Sequence, residues 1–85
     1  MFFVYILKCL KDNKLYFGFT NNLQRRIEEH NSGKNLSTKF RKPFKIIYYE
    51  AYASKNDAKK REYSLKLNGR ARAQLKSRIK ETLSL

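Results

Sequence analysis

An α+β domain with the order β-β-α-β-α-α follows from three features of the chain. Two apolar runs, Phe2–Cys9 and Leu15–Phe19, are separated by only a few polar residues, as in antiparallel strands joined by a short turn. A further aromatic and β-branched run, Phe44–Tyr52, reads as a third strand. Apolar residues elsewhere recur at helical spacing, Leu23 with Ile27 and then Ala71, Leu75, Ile79 and Leu83. With 85 residues, the chain is expected to form one domain over 1–85.

Phe2–Cys9 is nearly unbroken in its apolar character, which suits a strand buried on both faces. Lys11-Asp12-Asn13 supplies a polar turn, and Leu15–Phe19 returns as the second strand, with Gly18 permitting close backbone approach. Thr20, Asn21 and Asn22 all offer side-chain oxygens for a helix N-cap. In the helix that follows, Leu23 and Ile27 mark the buried side, while Asn22, Arg26 and His30 share another face. Asn31-Ser32-Gly33 is a stop signal, and 33–43 is a basic loop closed by Pro43. Ser54 or Asn56 starts a second helix, with Ala58, Glu62 and Leu65 roughly aligned, and Asn68-Gly69 ends it. A last helix is expected over Arg70–Leu83, carrying Arg72, Lys76 and Lys80 as a basic stripe.

The formal net charge is +13, from 20 Lys and Arg against 7 Asp and Glu. Such an excess generates a positive field that attracts polyanions, above all nucleic acid. Anionic membrane and a ribosomal site are the next alternatives, and charge alone does not rank DNA over RNA. Cys9 is the single cysteine, which excludes an internal disulfide and a cysteine-cluster zinc site. With no signal-peptide pattern, this points to a reducing cytoplasm. No run approaches membrane-spanning length.

Several residues carry chemistry, and each also has an ordinary role. Tyr5 and Tyr16 suit the edge of a core as β-formers with a polar tip. As functional phenols they would need a neighbouring cation, because the ordinary pKa is about 10. Arg26 is either one more surface cation or a planar fork for two phosphate oxygens. His30 is the only histidine, and its place one turn after Arg26 favours a shared role. Glu62 forms a favourable i, i+4 pair with Lys66. It also lies on the Ala58–Leu65 side of its helix, where a carboxylate needs a partner or a hard cation such as magnesium. Asn22, Arg25, Lys39, Arg41, Lys42, Lys66, Arg72 and Lys76 are candidates for contacts to a nucleic-acid backbone, and Lys45 extends the loop patch.

Val4-Tyr5-Ile6, Tyr16-Phe17-Gly18, Thr20, Asn22-Leu23, Arg25-Arg26, His30, Asn31, Gly33, Ala58, Arg61-Glu62 and Lys66, in this order and spacing, resemble the GIY-YIG nuclease superfamily. The likeness is to its small bacterial single-domain branch, similar to the N-terminal catalytic domain of UvrC, and runs from Phe3 to about Ile79. Val4 stands where the first motif has glycine, and Asn68 is the only late asparagine. The resemblance implies a three-stranded antiparallel sheet flanked by helices and one Mg²⁺ or Mn²⁺ ion held by Glu62. It implies an endonuclease that hydrolyses DNA, whether branched, damaged or single-stranded, in repair or recombination. The catalytic set it implies is Tyr5, Tyr16, Arg26, His30 and Glu62, with Tyr5 helping to deprotonate water, Tyr16 positioning water or phosphate, and Arg26 countering the growing phosphoryl charge. His30 would hydrogen-bond a tyrosine or a phosphate. A non-catalytic module that grips nucleic acid through its basic surface is the alternative.

Overall fold

The computed structural model of the chain describes residues 1–34, 40 and 42–85. Three strands, β1 (Phe2–Cys9), β2 (Leu15–Thr20) and β3 (Phe44–Tyr52), form one antiparallel sheet in the order β2-β1-β3. Helix α1 (Leu23–Asn31) lies between β2 and β3 in the chain, and α2 (Lys55–Leu67), α3 (Gly69–Arg78) and α4 (Lys80–Leu83) follow β3. This is the expected α+β fold, with the last helix divided in two.

The central position of β1 explains its composition. Alternate side chains enter different cores, so neither face can be polar. Val4 and Ile6 join Ala58, Leu65 and Leu75 on the α2–α3 side. Tyr5, Leu7 and Cys9 join Phe44 on the other side, against Leu23 and Ile27 of α1. The valine at the first motif position is therefore a core residue.

Local chemistry fixes the connections. Asn13 takes a positive φ of 60° in the β1–β2 turn, and its N–H donates to the Cys9 carbonyl at 2.8 Å. Asn is among the few residues that tolerate this region. Asn22 caps α1 by accepting from the Arg25 N–H, and Ser54 caps α2 by accepting from the Asp57 N–H. Gly33, at φ 80°, follows the end of α1. Asn31 does more than stop the helix. Its side chain accepts from the Phe44 N–H at 2.7 Å and donates to the Phe44 carbonyl at 3.0 Å, fastening the end of α1 to the start of β3.

Three boundaries differ from the sequence reading, the first being α3, which starts at Gly69, one residue before the expected Arg70. Strand β2 runs one residue further, to Thr20, which pairs with Phe3. The expected Arg70–Leu83 helix breaks at Ile79, whose φ of −112° and ψ of 31° leave the helical region. Ile79 still packs on the α2–α3 core, so the apolar repeat survives although the helix does not. After the break, the Lys8 ammonium donates to the Leu83 carbonyl at 3.1 Å. Among the described residues, no helix is long and apolar enough to cross a membrane.

Candidate active site

Tyr5 is the centre of the site. It is 1% exposed, on the α1 face of β1. Gly18 stands directly across from it on β2, and the phenol lies over the space a β-carbon at Gly18 would occupy. The glycine thus makes room for a neighbouring side chain rather than for a backbone.

Helix α1 delivers two partners to this phenol. Arg26 donates from Nε to the Tyr5 hydroxyl at 3.2 Å, and His30 Nε2 is 3.1 Å from the same oxygen. Residues four apart lie one turn apart on a helix face, so both reach one point. Arg26 also donates from Nη1 to Glu29 at 3.1 Å. The Tyr16 ring meets His30 edge-on at 5.1 Å between centroids.

Electrostatics set the protonation states. Burial raises the Tyr5 pKa above its ordinary 10, against the opposing hydrogen bond and charge of Arg26. Tyr16 and Glu62 add smaller contributions to the rise. His30 is wholly buried, and burial together with the Arg26 charge lowers its pKa to about 4, despite Glu29. At neutral pH the imidazole is uncharged and Tyr5 keeps its proton. With Arg26 supplying one N–H, the phenol O–H is free to donate to a neutral His30 Nε2.

Glu62 has a side chain 17% exposed and pairs with Lys66 at 3.1 Å. Among the described residues, no group of three or more His, Cys, Asp or Glu side chains is arranged to hold a metal ion. Asn68 takes no part in this group, since its side chain accepts from the Arg70 and Ala71 N–H groups and caps α3.

The candidate nucleic-acid contacts divide. Arg25 lies beside Arg26 and lines the same cleft. Asn22 is exposed, but its carbonyl oxygen is committed to the α1 cap. Lys42 and Lys45 are exposed, while Lys39 and Arg41 lie outside the described residues. Lys66 is the partner of Glu62. Arg72 departs from the expected basic stripe. Its guanidinium donates to the Leu65 and Lys66 carbonyls at 3.1 and 2.7 Å, satisfying orphan groups at the end of α2. Arg72 and Lys76 line a groove with Leu15 and Phe17, two residues of the α2–α3 face and not of the Tyr5 face.

One polar cluster lies outside the sequence reading. Glu50 accepts from Tyr48 and Tyr52 hydroxyls at 2.6 Å each, and from Arg61 Nε and Nη2 at 2.9 and 3.1 Å. Burial would raise the carboxyl pKa, but these donors outweigh it and hold it below the ordinary value. Burial and the bond to Glu50 push Tyr48 and Tyr52 up to about 12. The alternation Tyr48, Glu50, Tyr52 is the one hint, since it puts three polar tips on one face of β3.

Residues 1–78 match the GIY-YIG catalytic domain family. A UPF0213 protein of Staphylococcus haemolyticus is 49% identical over 65 residues, covering 75% of this chain and 78% of the relative. A UPF0213 protein of Clostridium perfringens is 49% identical over 67 residues, covering 78% of this chain and 71% of that one. The fold is similar to the solution NMR structure of a UPF0213 protein from Bacillus halodurans, with a TM-score of 0.56 and 42% identity over 91% of this chain and 84% of the other. The chain belongs to the GIY-YIG catalytic domain family, a family of nucleases.

Proposed function

We propose that the protein is a divalent-metal-dependent endonuclease that hydrolyses phosphodiester bonds in DNA. The observation that carries this reading is the meeting of Arg26 and His30 on one buried phenol, Tyr5. A merely structural tyrosine needs one hydrogen-bond partner. This one has a guanidinium on one side and an uncharged imidazole on the other.

The residues fit a hard cation of the magnesium type. Glu62 offers a part-buried carboxylate, and magnesium commonly takes one or two carboxylates and completes its shell with water and phosphate. Glu62 would hold the ion after releasing Lys66. Bound there, it would supply Lewis-acid polarisation of a phosphoryl oxygen.

The remaining steps belong to the chain. The attacking water gives a proton to the Tyr5 oxygen as that phenol passes its own proton to His30 Nε2. Arg26 stabilises the partial negative charge on the phenol oxygen during this exchange. Its Nη2 has no bonded partner in the described structure, leaving those N–H groups for the phosphate oxygens as charge grows on them. Tyr16, beside His30, positions water or phosphate. Lys66, once freed from Glu62, would meet the DNA backbone.

The second reading, a binding module that does not cut, is favoured by the closed Glu62–Lys66 pair. Incubation with branched and single-stranded DNA in Mg²⁺ or Mn²⁺ separates the two. Cleavage that disappears in Glu62→Gln supports the enzyme, whereas tight binding with no turnover leaves the module. Repair or recombination would be the setting for such cleavage.

A further inference from the structure

A cleft of about 270 Å³ opens beside Arg26, lined by Phe2, Phe19, Thr20, Asn21, Arg25, Glu29 and Lys55 as well. Its makeup is not that of a plain phosphate site. Phe2 and Phe19, which pack on the α2–α3 core, stack nearly parallel, 10° apart with centroids at 6.2 Å, and border the cleft where it reaches that face of the sheet. The Lys59 ammonium lies 4.3 Å over the Phe19 ring. The same lining includes three cations, Arg25, Arg26 and Lys55, and the single carboxylate of Glu29.

Polar groups in the cleft are already oriented. Arg25 donates from Nη2 to Asn21 at 2.9 Å, and Glu29 holds Arg26 at 3.1 Å. The Thr20 hydroxyl is spent on Asn22, 3.2 Å from its carbonyl and 3.1 Å from its N–H. The Asn21 amide nitrogen and the Lys55 ammonium have no bonded partner in the described structure and stay available to a ligand.

We propose that this cleft is a nucleotide subsite that seats one unpaired nucleotide of the DNA next to the scissile phosphate, with its base against Phe2 and Phe19 and its phosphate on Arg25 and Lys55. The inference rests on the nuclease reading for the position of the cut, but not for the binding itself. Aromatic walls with flanking cations recognise single strands because every base has a π-face and every linkage a charge. A base held in a duplex cannot enter, so the substrate presents an unpaired nucleotide at the cleavage point.

The test compares the affinity of the full chain, in EDTA, for a thymidine tetranucleotide and for an abasic tetranucleotide of equal charge. The wild type is expected to bind the thymidine oligomer about fivefold or more tightly, the scale of one stacked base. Phe2→Leu or Phe19→Leu, shown to be folded by circular dichroism, should bring that ratio towards one. Lys55→Ala, an exposed change that leaves the core intact, should weaken both oligomers together and keep the ratio. Equal affinity of the wild type for the two oligomers overturns the subsite, as does a ratio unmoved by either leucine variant. Because no metal is present, failure of metal-dependent cleavage would leave these outcomes intact, and metal-dependent cleavage with no base preference would sink the subsite alone.

Discussion

Gly18 faces Tyr5 across the β1–β2 ladder, and its missing side chain is the space in which the phenol lies. Replacing a strand glycine by alanine ordinarily helps, by restricting the unfolded chain. Here the added methyl would collide with the Tyr5 ring. Gly18→Ala is expected to cost about 1–3 kcal/mol, the scale of overpacking, and to displace the hydroxyl from Arg26 and His30. Urea midpoints measure the first effect. Cleavage assayed on the folded fraction measures the second, and a fully active, fully stable variant would contradict this packing.

Acid should destabilise the fold in a window set by His30. The imidazole pKa falls from the ordinary 6.5 to about 4 on folding, so between those values the unfolded chain binds more protons. Stability contributed by the neutral imidazole is complete above about pH 6.5 and is lost as pH falls towards 4, on the order of 3 kcal/mol in all. Urea denaturation at pH 7 and pH 5 should show the decline in wild type and a shallower one in His30→Gln. Equal slopes for the two proteins would remove His30 as the cause.

Glu50 is predicted to be structural. Glu50→Leu leaves two tyrosine hydroxyls and the Arg61 guanidinium without their acceptor. Breaking a buried pair on one side costs about 3–5 kcal/mol, and the partial exposure of Arg61 places this case nearer 2–3 kcal/mol. The carboxyl pKa is depressed, so the benefit of Glu50 is present at neutral pH and is lost as pH falls below the ordinary carboxylate value. Cleavage per folded molecule should not change. A loss of turnover without a loss of stability would instead assign Glu50 to the reaction.

Asn31 offers a sharper test of how α1 is held. Asn31→Ala removes both hydrogen bonds to the Phe44 backbone, with an expected cost of about 1–3 kcal/mol. Amide exchange at Phe44 should accelerate by at least tenfold, and unchanged protection there would show that the clamp is unimportant.

Much of this architecture was legible because local rules governed it. The three strands appear where apolar and β-branched runs occur, and Asn22 and Ser54 cap the helices that they precede. Arg26 and His30 converge because a four-residue interval is one helical turn, which sequence spacing reveals directly. What escaped depends on contacts distant in the chain. Nothing near Glu50 announces Arg61, eleven residues away, and nothing near Asn31 announces Phe44. The periodic apolar residues of Arg70–Leu83 describe a buried stripe, but a stripe does not reveal that Ile79 turns the backbone beneath it. The basic pattern of Arg72 was visible, while its use as a cap for α2 required a second helix at the right angle.

The most direct measurement is cleavage of a branched or single-stranded DNA in Mg²⁺ by wild type, Tyr5→Phe and Glu62→Gln, each verified as folded. The account predicts metal-dependent cutting by the wild type and a fall of about 100-fold or more in either variant. Cutting that continues at the wild-type rate without the Glu62 carboxylate, or without the Tyr5 hydroxyl, would contradict it.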